Sequence, residues 1–180
     1  MLKAADALAR RTFVLIPFDF NPLHTYRISK KVDIPPSILF DVVSDVASYK
    51  TFIPFVTESF VSEVDFRTKL PQKAGFNIGW DQYNERMICD VSCLKDERVF
   101  SRAISTDIFE HLQNEWKFEL VKNGCNQRVS TKVSLNLQYR FKNPLFNSIS
   151  SVFQSQVSQV MIDSFLKRAT ERQKQSNTTT

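Results

Sequence analysis

The stretch Pro144–Arg172, PLFNSISSVFQSQVSQVMIDSFLKRATER, is the one whose reading sets the architecture. Leu145, Ile149, Val152, Phe153, Val157, Val160, Met161 and Phe165 recur at steps of three and four. That spacing draws one apolar stripe along a helix of 3.6 residues per turn. Ser148, Ser151, Gln154, Gln156, Ser158 and Gln159 lie between them, polar but uncharged. Pro144 suits a first helical turn, where its missing N–H costs nothing. Lys167, Arg168, Arg172 and Lys174 gather at the other end, where cations complement the helix dipole. A helix over this stretch is roughly 40 Å long at about 1.5 Å per residue. Such a greasy face needs a broad surface to lie on.

The preceding sequence supplies a sheet. In Gln127–Phe141, Val129, Thr131, Val133, Leu135, Leu137, Tyr139 and Phe141 alternate with Ser130, Lys132, Ser134, Asn136, Gln138 and Arg140. Sustained period two marks a strand with one buried face. Further strands are expected over Thr25–Ile34, Phe55–Asp65, Gly75–Tyr83, Arg86–Leu94, Val99–Ile104 and Asn114–Val121. A helix is expected over Pro36–Val46, with Ile38, Leu39, Val42, Val43 and Val46 buried, and a short helical turn over Ser48–Phe52. The order is strand, two short helices, a run of strands and one long closing helix. Consecutive strands joined by short turns make a curved antiparallel sheet, and the segregated helices make the class α+β.

A chain of 180 residues, 42% hydrophobic and 24% charged, suits one soluble domain with its own core. Sixteen Phe, against two Trp and four Tyr, fit either a Phe-rich core or an aromatic-lined cavity for an apolar ligand. The net charge of +5 favours anionic partners without choosing among them. Cys89, Cys93 and Cys125 form no metal-binding pattern, and a reducing compartment is the economical reading. No apolar run is long enough to span a bilayer, so any membrane association is expected to be peripheral. Residues 1–21 are read as a mitochondrial targeting segment or a plain N-terminal extension. Ala4, Ala5, Ala7, Leu8 and Ala9 with Lys3, Arg10 and Arg11 favour the first, and Asp6 and Asp19 weigh against it. The domain is expected over 22–173, and the polar tail 174–180 is expected to be disordered.

Four blocks resemble a known family. Tyr49-Lys50-Thr51-Phe52-Ile53-Pro54 is similar to the Tyr-x-x-Phe-(Val/Ile)-Pro signature of the coenzyme Q-binding START-domain proteins, and Ser59 follows at the usual distance. Glu85-Arg86 with Val91-Ser92 resembles the next stretch. Phe109-Glu110-His111-Leu112-Gln113-Asn114-Glu115-Trp116-Lys117-Phe118 resembles the block Phe-x-His-Leu-x-x-x-Trp-x-Phe. The long last helix completes a likeness covering about Thr25–Arg172. Val56 departs from it, standing where many relatives have cysteine. The resemblance implies the helix-grip START-like fold of the polyketide-cyclase superfamily. It also implies a non-enzymatic carrier or chaperone for coenzyme Q that supports respiratory electron transfer and quinone biosynthesis. The implied site is the matrix face of the mitochondrial inner membrane, with peripheral contact to anionic lipid and with respiratory or quinone-biosynthesis complexes as further partners.

A polyprenyl quinone needs an apolar tunnel, a few polar groups for its head and a gate. Expected wall residues are Phe52, Phe55, Phe76, Ile78, Trp80, Met87, Val91, Trp116, Phe118, Leu135, Leu137, Ile149, Phe153, Val157 and Met161. For any one of them, core packing is the more ordinary role; it is as a set that they suggest a wall. Tyr49, Lys50, Arg86 and His111 are the head-group or gate candidates. No catalytic residue, metal ligand or cofactor other than coenzyme Q as bound ligand is assigned, since no nucleophile motif, phosphate loop or metal spacing is present. Two alternatives stay open: a cyclase- or dehydratase-like enzyme of the same superfamily, and a ribosome-associated regulator. No nucleic-acid partner is expected, because basic residues are not interleaved with stacking aromatics.

Overall fold

Alternating apolar residues build seven strands among the described residues: β1 (His24–Val32), β2 (Val56–Val64), β3 (Pro71–Trp80), β4 (Tyr83–Leu94), β5 (Arg98–Ser105), β6 (Phe109–Val121) and β7 (Ser130–Phe141). The computed structural model describes residues 21–80, 83–121, 129–149 and 158–178. The strands form one antiparallel sheet in the order β1-β7-β6-β5-β4-β3-β2. On β7, Thr131, Val133, Leu135, Leu137, Tyr139 and Phe141 are all buried, as period two requires. β4 and β6 begin earlier than alternation indicates, at Tyr83 and Phe109. Polar residues on both faces hide their first turns of strand, but β6 keeps pairing with β7 as far as Phe109 opposite Phe141.

Helix α1 runs from Pro36 to Ser44, with Pro at its start, and buries Leu39, Phe40, Val42 and Val43. The second short helix is a 3-10 helix, Val46–Thr51. Its end is closed by Phe52 N and Ile53 N donating to Tyr49 O at 3.1 and 2.9 Å. Ser59 Oγ of β2 accepts from Lys50 N at 3.1 Å and donates to Ala47 O at 2.8 Å. One hydroxyl thus pins the turn to the sheet.

The closing stretch differs from one continuous helix. Pro144–Ile149 is a 3-10 helix, and α2 is described from Ser158 to Thr178. Three residues per turn break the phase of the stripe. Ser158, Ile162, Phe165 and Ala169 are the buried positions of α2, whereas Leu145 and Val160 are 79% and 40% exposed. Helix α2 takes in the polar residues Gln173 to Thr178. Gln173 Nε2 donates to Asp33 O at 3.1 Å, and Arg172 pairs with Asp45 at 2.8 Å. Lys30 meets Asp163 at 2.6 Å, giving α2 a second tie to the sheet. These pairs are partly exposed and contribute modestly; the apolar stripe does most of the holding.

Candidate ligand-binding site

The concave face of the sheet carries two hydrophobic clusters. In the first, α1, the 3-10 turn and α2 pack on the sheet around Phe40, Tyr49, Val91, Trp116, Phe118, Leu135, Ile162 and Phe165. Phe52 and Met161 are half-buried against it. Phe165 is the hub, with ring centroids 4.9 Å from Trp116, 5.1 Å from Tyr49 and 5.3 Å from Phe52. The second cluster buries Met87, Phe109, Leu137, Tyr139 and Phe141 and is fringed by half-buried Tyr26, Phe76, Ile78, Ile108 and Leu112. Tyr49 lies 6.3 Å from Phe76, which joins the two.

The expected wall residues therefore separate. Phe52, Val91, Trp116, Phe118, Leu135 and Met161 belong to the first cluster, and Phe76, Ile78, Met87 and Leu137 to the second. Phe55 belongs to neither. It is 56% exposed, has a positive φ of 68°, and accepts a hydrogen bond from Gly79 N at 2.8 Å. A non-glycine residue held there is strained by about 1–2 kcal/mol. The side chains of Trp80 and Ile149, and the residues Phe153 and Val157, lie outside the described part. So do residues 1–20 of the expected targeting segment.

The head-group candidates fare differently. Tyr49 is 9% exposed, and its hydroxyl donates to Val43 O at 2.5 Å. Burial, with the thiols of Cys89 and Cys93 and the Asp45 carboxylate nearby, pushes its pKa far up. Its ring is packed into the first cluster, so Tyr49 braces α1 against the turn. Lys50 is exposed on that turn. Arg86 faces away from the concave surface, because it alternates with Glu85 and Met87; its guanidinium lies 5.0 Å over the Phe60 ring. His111 faces outward too, opposite Arg140, since Leu112 pairs with Tyr139 on the concave side. Its Nε2 is buried with no hydrogen-bond partner among the described residues. Strand parity sorts both residues to one face, and the packing of the helices decides which face is covered.

One polar group on the concave side appears in the sequence only as part of the Glu85-Arg86 block, with no role in the site assigned to it. Glu85, 9% exposed, shares the face of Met87 and stands opposite Ile78. Its Oε1 accepts from Thr106 Oγ1, from Asp107 N at 2.7 Å and from Ile108 N at 3.4 Å. Lys142 braces the same turn by donating Nζ to Thr106 O at 2.6 Å. Tyr139, Phe141 and Phe109 were also legible only as strand residues. His24 stacks on Tyr139 at 5.0 Å, and Phe109 on Phe141 at 5.2 Å. Burial raises the Cys89 and Cys93 thiols to about 11, which removes them as nucleophiles near neutral pH.

A groove of about 470 Å³ opens on the other side of the sheet, lined by Arg27, Ser29, Glu115, Lys117, Lys132, Ser134 and Asn136 together with Ile28 and Leu135. Its lining residues are mostly charged or polar and it is open, unlike the concave aromatic surface. No group of three or more His, Cys, Asp or Glu comes together as a metal site among the described residues. No helix among them is long and apolar enough to cross a membrane.

Residues 32–166 match the family described as polyketide cyclase / dehydrase and lipid transport. The chain belongs to that family. It is 30% identical over 97% of its length to the coenzyme Q-binding protein COQ10, mitochondrial, of Eremothecium gossypii, covering 86% of that protein. It is 33% identical over 80% of its length to the Saccharomyces cerevisiae protein of the same name, covering 70% of it. A START superfamily protein from Mycobacterium smegmatis superposes with a TM-score of 0.71 at 13% identity, covering 82% of this chain and 98% of that one. That last likeness speaks to the fold alone. The resemblance to the coenzyme Q-binding START-domain proteins and the helix-grip architecture are thereby borne out.

Proposed function

We propose that this chain binds a coenzyme Q, a polyprenyl benzoquinone, on the concave face of its sheet and carries or chaperones it between membrane and acceptor. The observation that carries the reading is the 30% identity, over nearly the whole chain, to a protein named for binding coenzyme Q. The chemistry of the second cluster supports it. Half-buried Tyr26, Phe76, Ile78, Ile108 and Leu112 surround a floor of aromatic rings. Covering an isoprenoid tail with such a surface removes apolar area from water at about 25 cal/mol per Å².

The role is binding and delivery, with no reaction of its own and no cofactor beyond the quinone. The relatives' names support a mitochondrial setting. A peripheral position at the matrix side of the inner membrane, serving respiratory or quinone-biosynthesis complexes, is part of the proposal. Phe55 gives it a physical handle: a strained, exposed aromatic at the tip of the connection between the 3-10 turn and β2. The net charge of +5 favours anionic phospholipid as the surface it meets.

The test is organic extraction of purified protein after incubation with quinone-loaded liposomes, read by mass spectrometry and ultraviolet absorption. A prenylated quinone at near-equimolar amount is expected. An extract without quinone would overturn the reading.

A further inference from the structure

We infer that Glu85 makes the site selective for the reduced, hydroquinone form of its ligand, with Oε2 accepting a hydrogen bond from a phenolic hydroxyl of the head. The inference rests on the coenzyme Q reading above and adds the redox state that the site prefers.

Two oxygens of one carboxylate have different fates. Oε1 takes all three donors of the turn, Thr106 Oγ1, Asp107 N and Ile108 N. No donor among the described residues reaches Oε2, although the residue is only 9% exposed. Oε2 is absent from the fully enclosed, partnerless polar atoms, so it keeps some open surface. A carboxylate buried to this degree with half its acceptor capacity unused is costly unless something fills it. An acceptor with open surface of this kind is one that a ligand donor can satisfy in place of solvent.

The position is apt for a head group. Glu85 lies opposite Ile78 on β3 and binds the amide of Ile108, and both of these residues pack into the second aromatic cluster. A ring lying on that cluster brings its oxygens to the cluster's polar edge. There the chemistry discriminates. A carboxylate oxygen only accepts. A quinone carbonyl also only accepts, so quinone against Oε2 sets two acceptors face to face and strips water from both. A hydroquinone O–H donates, and its bond to an ionised acceptor is of the stronger, charge-assisted kind. Ring size and tail are the same in both forms, so the difference rests on this contact.

The experiment uses the intact protein and a decyl-tailed benzoquinone, oxidised or chemically reduced, titrated without oxygen and followed by tryptophan fluorescence. The hydroquinone is expected to bind about tenfold more tightly or better, one charge-assisted hydrogen bond being worth about a decade in affinity. Glu85→Gln keeps a carbonyl oxygen for the Thr106–Ile108 turn and turns the other position into a donor. Its preference is expected to vanish or reverse toward the quinone. A role confined to holding the turn would instead weaken both forms equally and leave their ratio unchanged, and that result overturns the inference. Equal affinity of both forms for the unaltered protein overturns it as well, without need of the variant. In that case the carrier reading stands; failure of both forms to bind removes both.

Discussion

Phe165→Ala tests whether α2 is part of the core or a detachable cover. Phe165 is 2% exposed and stacks edge-on or tilted against Tyr49, Phe52 and Trp116 at 4.9–5.3 Å between ring centroids. Removing a buried phenyl ring costs about 3–5 kcal/mol through lost transfer energy and the cavity left behind. The upper half of that range applies, because three aromatic partners lose their contacts together. Whole-domain stability is about 5–15 kcal/mol, so the loss is a large share of it. With a urea dependence of about 2 kcal/mol per molar, the unfolding midpoint should fall by about 2 M. Circular dichroism at equilibrium reads this directly, and an unchanged slope would place the effect in the folded state. A midpoint shift below about 0.5 M would mean that α2 does not rest on the sheet as described, and the account of the first cluster would fail.

Two further outcomes follow from groups near that core. Tyr49 is held protonated by burial, whereas in the unfolded chain a phenol ionises near about pH 10. The unfolded state therefore loses its proton first, so this contribution is complete below about pH 10 and declines as pH rises above it. Tyr49→Phe should flatten the fall of stability above that pH by about 1.4 kcal/mol per pH unit relative to the parent. Cys89 and Cys93, raised to about 11, add an earlier decline that both proteins share. Parallel curves in urea titrations at stepped pH would refute the burial of the hydroxyl. At the exposed tip, Phe55→Ser should leave the unfolding free energy within about 0.5 kcal/mol of the parent, as surface changes do. Its co-sedimentation with anionic vesicles should drop several-fold. Undiminished sedimentation would remove Phe55 from the membrane contact.

Local periodicity determined a good deal of this protein. Period two along Ser130–Phe141 marks the buried face of β7, and the apolar spacing after Pro36 marks α1, because each pattern is written within a single element. The Tyr49–Pro54 and Phe109–Phe118 blocks pointed to the family, and ten of the residues expected as walls belong to the two hydrophobic clusters. Three matters were decided only by tertiary structure. The closing stretch begins as a 3-10 helix, and in α2 it is Ile162 and Ala169 that are buried while Val160 is not. Arg86 and His111 turn outward because parity sorts residues into two faces, while the packing of remote helices decides which face is covered. The third matter is the carboxylate. Glu85 reads as an ordinary strand acid until the turn after β5, 21 to 23 residues further on, takes one of its oxygens. Partners that distant are brought together by β-pairing, and no local pattern records them.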